Sequence, residues 1–129
     1  LIPALKEIRK GNVDFRTPRS GRRRWLCKKD LYWPGGGVRP NVVYNNPVQG
    51  LAGDGLKQAL VILWPALKPT GAKLLAVVHD EIVLEAPRRE AQEVCRIVKT
   101  AMVEGMQVYL KKVPVCVDAS IGESWAEKA

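Results

Sequence analysis

The chain has 129 residues, 47% of them hydrophobic and 26% charged, which suits one packed domain and is too short for two ordinary ones. That apolar content argues against wholesale disorder, and no run approaches the roughly 18 apolar residues that a membrane span requires. The formal net charge of +8 lies in residues 1–50, where eleven Lys/Arg face three acids; the rest of the chain sums to zero. A basic half of this kind suits a polyanion, either nucleic acid or an anionic membrane surface, and it also suits a solvated surface kept soluble by its charge.

The sequence opens on Leu1 within what reads as a helix over 1–10 stopped by Gly11, and is expected to be a cut from something longer, without a cleavable signal pattern. Residues 13–18 and 22–27 read as short strands around the Ser20-Gly21 turn. Pro34, Gly35, Gly36, Gly37 and Pro40 make residues 28–40 a loop. A long helix is expected from about 41 to 67, interrupted near Pro47, with Ala52, Leu56, Ala59, Leu60, Leu63 and Leu67 on its apolar face. Pro65 is expected to bend or end it. Residues 73–78 and 81–86 are apolar runs of strand length separated only by His79 and Asp80, which predicts a tight antiparallel hairpin.

From Pro87 a helix is expected to about 110, with Ala91, Val94, Cys95, Val98, Ala101, Met102, Gly105 and Tyr109 on one side at a 3.6-residue period. Val113, Val115, Val117, Ala119 and Ile121 alternate, which predicts a last strand over 113–121. The fold class is therefore α+β, an antiparallel sheet with flanking helices. Cys27, Cys95 and Cys116 lie far apart without a CxxC pair, so neither a disulfide framework nor a zinc site is expected. A reduced, intracellular, cytoplasmic setting is the expectation that follows.

Three stretches carry chemistry. In Val78-His79-Asp80-Glu81-Ile82, acids stand at a strand-to-strand corner beside two apolar runs. Burying an unpaired carboxylate costs several kcal/mol, and a hard cation such as Mg²⁺, which prefers carboxylate and phosphate oxygen, offsets that cost. The same residues also suit a polar turn open to water.

In Asn45-Asn46-Pro47-Val48-Gln49-Gly50, Asn45 and Gln49 are four apart and share a helical face. Their amides suit the acceptors of the minor-groove edge, while Asn46 and Pro47 also suit a helix start. In Ser20-Gly21-Arg22-Arg23-Arg24, Arg22 and Arg24 project together from a strand, as phosphate contacts or as a solvated edge. His79 is the only histidine and sits beside Asp80, where it suits a base, a metal ligand or a phosphate donor. No GxSxG, Walker A or GxGxxG pattern is present, and the triple glycine at 35–37 lacks the Lys-Ser/Thr that would make it a phosphate loop.

In combination these stretches resemble the family A DNA polymerases, over residues 17–127. Thr17-x-x-x-Gly21-Arg22-Arg23-Arg24 resembles the family's basic hairpin, and Asn45-x-Pro47-Val48-Gln49-Gly50-x-Ala52-x-Asp54-x-x-Lys57 its long palm helix. Val78 to Pro87 is similar to motif C, and Val113-Pro114 through Ile121-Gly122-Glu123-x-Trp125 to the terminal strand and tail.

The resemblance implies that residues 1–129 are the C-terminal part of a polymerase palm within a larger chain. It implies template-directed transfer of a nucleotide from dNTP to a primer 3′-OH by that parent, with two Mg²⁺ ions. Asp80 then matches the catalytic, metal-binding aspartate and Glu81 a supporting catalytic acid. His79 matches a contact to the primer's terminal phosphate. Asn45 and Gln49 match contacts near the new base pair, and Arg22 a DNA contact, with Arg24 on the same strand face. The implied partners are primer-template DNA, dNTP and the remainder of the polymerase, with no membrane.

Leu51, Gly53 and Gly55 depart from the family pattern, predicting a looser helix there; Asn41 stands where relatives often carry a basic residue, and residues 28–40 also diverge. No match to motif A or to the dNTP-binding fingers helix is found, so the chain alone is expected not to extend a primer. The alternative is a catalytically incomplete nucleic-acid-binding module, or one that complements the rest of a palm.

Overall fold

The structure is a computed structural model that describes residues 14–16, 20–25, 32–37 and 39–127. The helix expected over 1–10, residues 28–31 of the expected loop and Cys27 lie outside the described residues. The chain divides into two compact units, residues 1–51 and 52–129.

In the first unit the expected basic hairpin is present as a short antiparallel ribbon. Strand β1 (Asp14–Arg16) pairs with β2 (Arg23–Trp25), Asp14 facing Trp25 and Arg16 facing Arg23. Gly21 takes a φ of 69° just before β2, a left-handed conformation that glycine adopts without the Cβ clash. Helix α1 (Pro40–Leu67) begins in this unit and runs on into the second. Pro40 suits the first position, where its missing N–H has no helical partner and its fixed φ is already helical. The interruption expected at Pro47 does not occur, and Pro65 does not end the helix: α1 is continuous over 28 residues. Each proline removes one i→i−4 hydrogen bond, but buried Val43 and Asn46 hold the first half, and Ala59, Leu63 and Leu67 hold the second.

In the second unit α1 ends in a short 3₁₀ turn, Lys68–Thr70, closed by Gly71 at φ 73°. Buried Thr70 finishes the exit: its hydroxyl donates to the Leu67 carbonyl at 2.8 Å and accepts from the Ala72 N–H at 3.1 Å. Strands β3 (Lys73–Val78) and β4 (Glu81–Glu85) then form the antiparallel hairpin the sequence predicts. The register shifts between Leu74 and Ala76, an irregularity that leaves Leu75 unmatched and exposed.

A 3₁₀ turn, Arg88–Glu90, leads into helix α2 (Ala91–Gln107), whose buried residues Val94, Val98, Ala101 and Gly105 follow the predicted period. Leu63, Leu67, Val94, Val98 and Ala101 form the core, with Ile82, Leu84 and Ala86 of the hairpin strand and its exit packed against it. Full burial of each larger side chain contributes about 1.5–3 kcal/mol. On the solvent side of α2, Arg96 grips both oxygens of Glu93 at 2.9 and 2.5 Å. That hydrogen bond holds the Glu93 carboxyl below its ordinary pKa and raises that of Arg96.

At the crossing of α1 and α2 the glycines differ in their surroundings. A Cβ on Gly105 would stand 2.6 Å from Ala59 Cα and 2.8 Å from Ala59 Cβ, so Gly105 permits the helices to touch backbone to backbone. A Cβ on Gly55 would meet Met106 Sδ and Cε at 2.7 Å, whereas one on Gly53 meets nothing within 4 Å. A second correction concerns residues 113–121, which carry no strand. Their alternation survives as half-buried Val115 and Val117 between exposed neighbours, but a strand also needs an adjacent backbone, and none of the described residues pairs with them. Beyond them, Arg88 pairs with Glu123, whose N–H donates to Glu127 at 2.9 Å within the tail.

Candidate functional site

The β3–β4 hairpin places His79 and Asp80 as its entire loop, because Val78 faces Glu81 across the ladder. Ile82 and Leu84 anchor β4, the strand that leaves this tip, to the core, and both loop side chains are exposed. His79 has a φ of 57°, the one non-glycine with positive φ among the described residues. A left-handed backbone costs a residue with a Cβ roughly 1–2 kcal/mol, and glycine or asparagine would meet it more cheaply. Histidine is, with asparagine and aspartate, among the residues carrying a Cβ that enter this region most readily.

Asp80 is exposed, so the desolvation cost argued from sequence does not arise. Glu81, the first residue of β4, is half-buried. Adjacent carboxylates are suitable hard donors for Mg²⁺, but no group of three or more His, Cys, Asp or Glu that could hold a metal exists among the described residues. Asp80 and Glu81 thus fit such an ion as part of a donor set rather than the whole of one.

The other candidates lie in the first unit. Asn45 and Gln49 are both exposed, one helical turn apart on α1, as their spacing predicts. Arg22 and Arg24 both reach α1. Arg22 Nη2 donates to the Gly50 carbonyl at 3.2 Å. The Asn46 side-chain oxygen, with its amide set to satisfy both partners, accepts from Arg24 Nη1 at 3.0 Å and Nε at 3.3 Å. These arginines, expected as DNA contacts, therefore also strap the ribbon to the helix segment that carries Asn45 and Gln49.

Asn46 is the residue that sequence reasoning missed. It reads locally as a cap, yet it sits within the helix and is 4% exposed. Its position three residues after buried Val43 was the available signal, since that spacing puts both on the inner face.

With this geometry established, comparison with known proteins assigns the class. The sequence pattern of DNA polymerase family A matches residues 12–127, and the chain belongs to that family. The thermostable DNA polymerase I of Thermus aquaticus is 49% identical over 84 residues, covering 65% of this chain and 10% of that enzyme. DNA polymerase I of Deinococcus radiodurans is 40% identical over 84 residues, covering 65% of this chain and 8% of the relative.

The POL domain of Pol1 from M. smegmatis, solved in complex with DNA primer-template and dNTP, superposes with a TM-score of 0.63 at 28% identity. That match covers 81% of this chain and 18% of the solved one. The α+β fold class is accordingly that of part of a polymerase domain, and the chain spans about a tenth of the length of these curated relatives. No helix among the described residues is long and apolar enough to cross a membrane.

Proposed function

We propose that this chain is the C-terminal part of the palm of a DNA polymerase, and that its parent joins dNTPs to a primer 3′-OH under the direction of a template. The observation that carries this reading is the hairpin tip: His79 in a left-handed conformation beside exposed Asp80, as the two-residue loop of an antiparallel hairpin, in a chain of family A. In the reaction the primer hydroxyl oxygen bonds to the α-phosphorus of the dNTP, and pyrophosphate leaves.

Asp80 is the residue we assign to hold Mg²⁺, with Glu81 beside it and the other carboxylate ligands coming from the rest of the parent. When bound, such ions stabilise the charge on the attacking and leaving oxygens. His79 contacts the primer's terminal phosphate from the tip. Asn45 and Gln49 present amides to the minor-groove edge of the new pair, where every base pair offers acceptors in similar places. Arg22 and Arg24 supply positive charge to the DNA backbone while bracing α1.

A second reading, in which the chain works as a module completing a palm, is favoured by an apolar groove of about 450 Å³ lined by Leu60, Val61, Leu63, Trp64, Leu67 and Leu74. We assign the remainder of the polymerase as its cover. The two readings agree that the 129-residue chain alone does not extend a primer.

The test is Asp80→Ala in the intact parent. Incorporation should fall by at least about 10²-fold, the scale of losing one group that stabilises developing charge, while primer-template affinity is largely kept. Unchanged turnover would remove Asp80 from the reaction.

A further inference from the structure

The loop before α1 holds an exposed tryptophan in a built turn. Trp33 is 52% exposed. Its N–H donates to the Gly37 carbonyl at 3.0 Å, and its carbonyl accepts from the Gly36 N–H at 2.9 Å. Gly36 and Gly37 both take a φ of 89°, which a side chain would strain. The Arg39 guanidinium carbon lies 4.2 Å from the centroid of the indole ring. Arg39 immediately precedes Pro40, the start of α1, and a residue before proline is restricted in its backbone. Around Gly35 and Gly36 nothing lies within 4 Å of where a Cβ would stand, leaving one rim of the loop open to close approach.

These features hold an aromatic face at the surface rather than in a core. Cation–π contact orients Arg39 on the ring, and its charge then sits beside whatever stacks there. The flanking sequence is basic: from Ser20 to Leu51 it holds Arg22, Arg23, Arg24, Lys28, Lys29 and Arg39 against the single acid Asp30. An aromatic face with an adjacent guanidinium in a basic stretch of sequence matches an unpaired nucleotide, whose base supplies a π-face and whose phosphate supplies the anion.

We infer that Trp33 and Arg39 form a stacking platform for an unpaired nucleobase of single-stranded DNA, built from residues other than those assigned at the hairpin tip. The choice of DNA as the polymer rests on the polymerase reading; the stacking chemistry does not.

The test uses the chain, Trp33→Ala and Trp33→Phe, titrated with a labelled single-stranded oligothymidylate, a blunt duplex, and an abasic strand of equal length. Trp33→Ala should weaken single-strand binding by roughly 5- to 100-fold, the range of one lost base–aromatic stack. Trp33→Phe should keep most of the affinity, and duplex and abasic binding should not distinguish the variants. Equal binding of the single strand by all three proteins overturns the platform. So does an equal loss on all three ligands, and so does a wild-type chain that does not bind the single strand. The polymerase reading is judged separately by Asp80→Ala in the parent. Trp33-dependent binding alongside turnover indifferent to Asp80 would sink that reading and leave this one standing.

Discussion

His79 is where backbone and chemistry pull in different directions. Its φ of 57° belongs to the region that glycine occupies without penalty, yet an imidazole stands there. The hairpin itself was legible, since two apolar runs with two residues between them leave few alternatives. The strain was not, because a two-residue loop does not reveal which of its members takes positive φ.

If the imidazole is kept for a primer contact, His79→Gly should separate stability from function. Denaturation of the chain should show stability unchanged or raised by up to about 1 kcal/mol, as strain relief competes with the entropy glycine adds to the unfolded state. In the parent, primer extension should fall. A loss of more than about 1 kcal/mol would instead make His79 a structural residue. Asn46 marks the limit of local reading. Its partner Arg24 lies 22 positions earlier on the ribbon, and no short-range pattern reports a hydrogen bond across that distance.

At the scale of elements, helical periodicity was the most legible signal and proline the most misleading. The buried face of α2 follows its 3.6-residue pattern residue by residue. Pro47 and Pro65 each suggested a boundary, and α1 passes through both. A proline within a helix costs about 3 kcal/mol, and the packing of the buried residues on either side of each proline outweighs it. The strand pattern of residues 113–121 failed for the converse reason: alternation describes which side chains want burial, but a ladder needs a second backbone.

The glycines give an ordered prediction, because they look alike in sequence and differ in space. Gly53→Ala should stabilise the chain by about 0.5–1 kcal/mol, gaining helix propensity in open surroundings. Gly105→Ala should destabilise it by about 1–3 kcal/mol, because the new methyl meets the Ala59 backbone and the helices must part. Urea unfolding of both variants checks the order, and a stabilising Gly105→Ala would mean that α1 and α2 do not touch there.

Over the whole molecule, charge and apolar surface are distributed unequally along the chain, and they respond to salt with opposite sign. Residues 1–50 carry the entire net charge of +8. In the second unit Val61 and Trp64 are each more than half exposed, on the groove that Leu60, Leu63, Leu67 and Leu74 also line. Phosphate contacts release counterions, so DNA binding weakens steeply as salt rises. Apolar association is spared that loss, and screening relieves the repulsion between two cationic copies as the Debye length shrinks from about 10 Å at 0.1 M to about 3 Å at 1 M.

The isolated chain should therefore self-associate more at high salt, while its affinity for DNA falls. Sedimentation velocity and DNA titration across one salt series would record both trends. Val61→Lys combined with Trp64→Lys should abolish the self-association and leave the salt slope of DNA binding little changed, since the two charges lie outside the basic half. A chain that stays monomeric across the series would show that this face needs no cover, and with it would go the case that the groove seats the remainder of the polymerase.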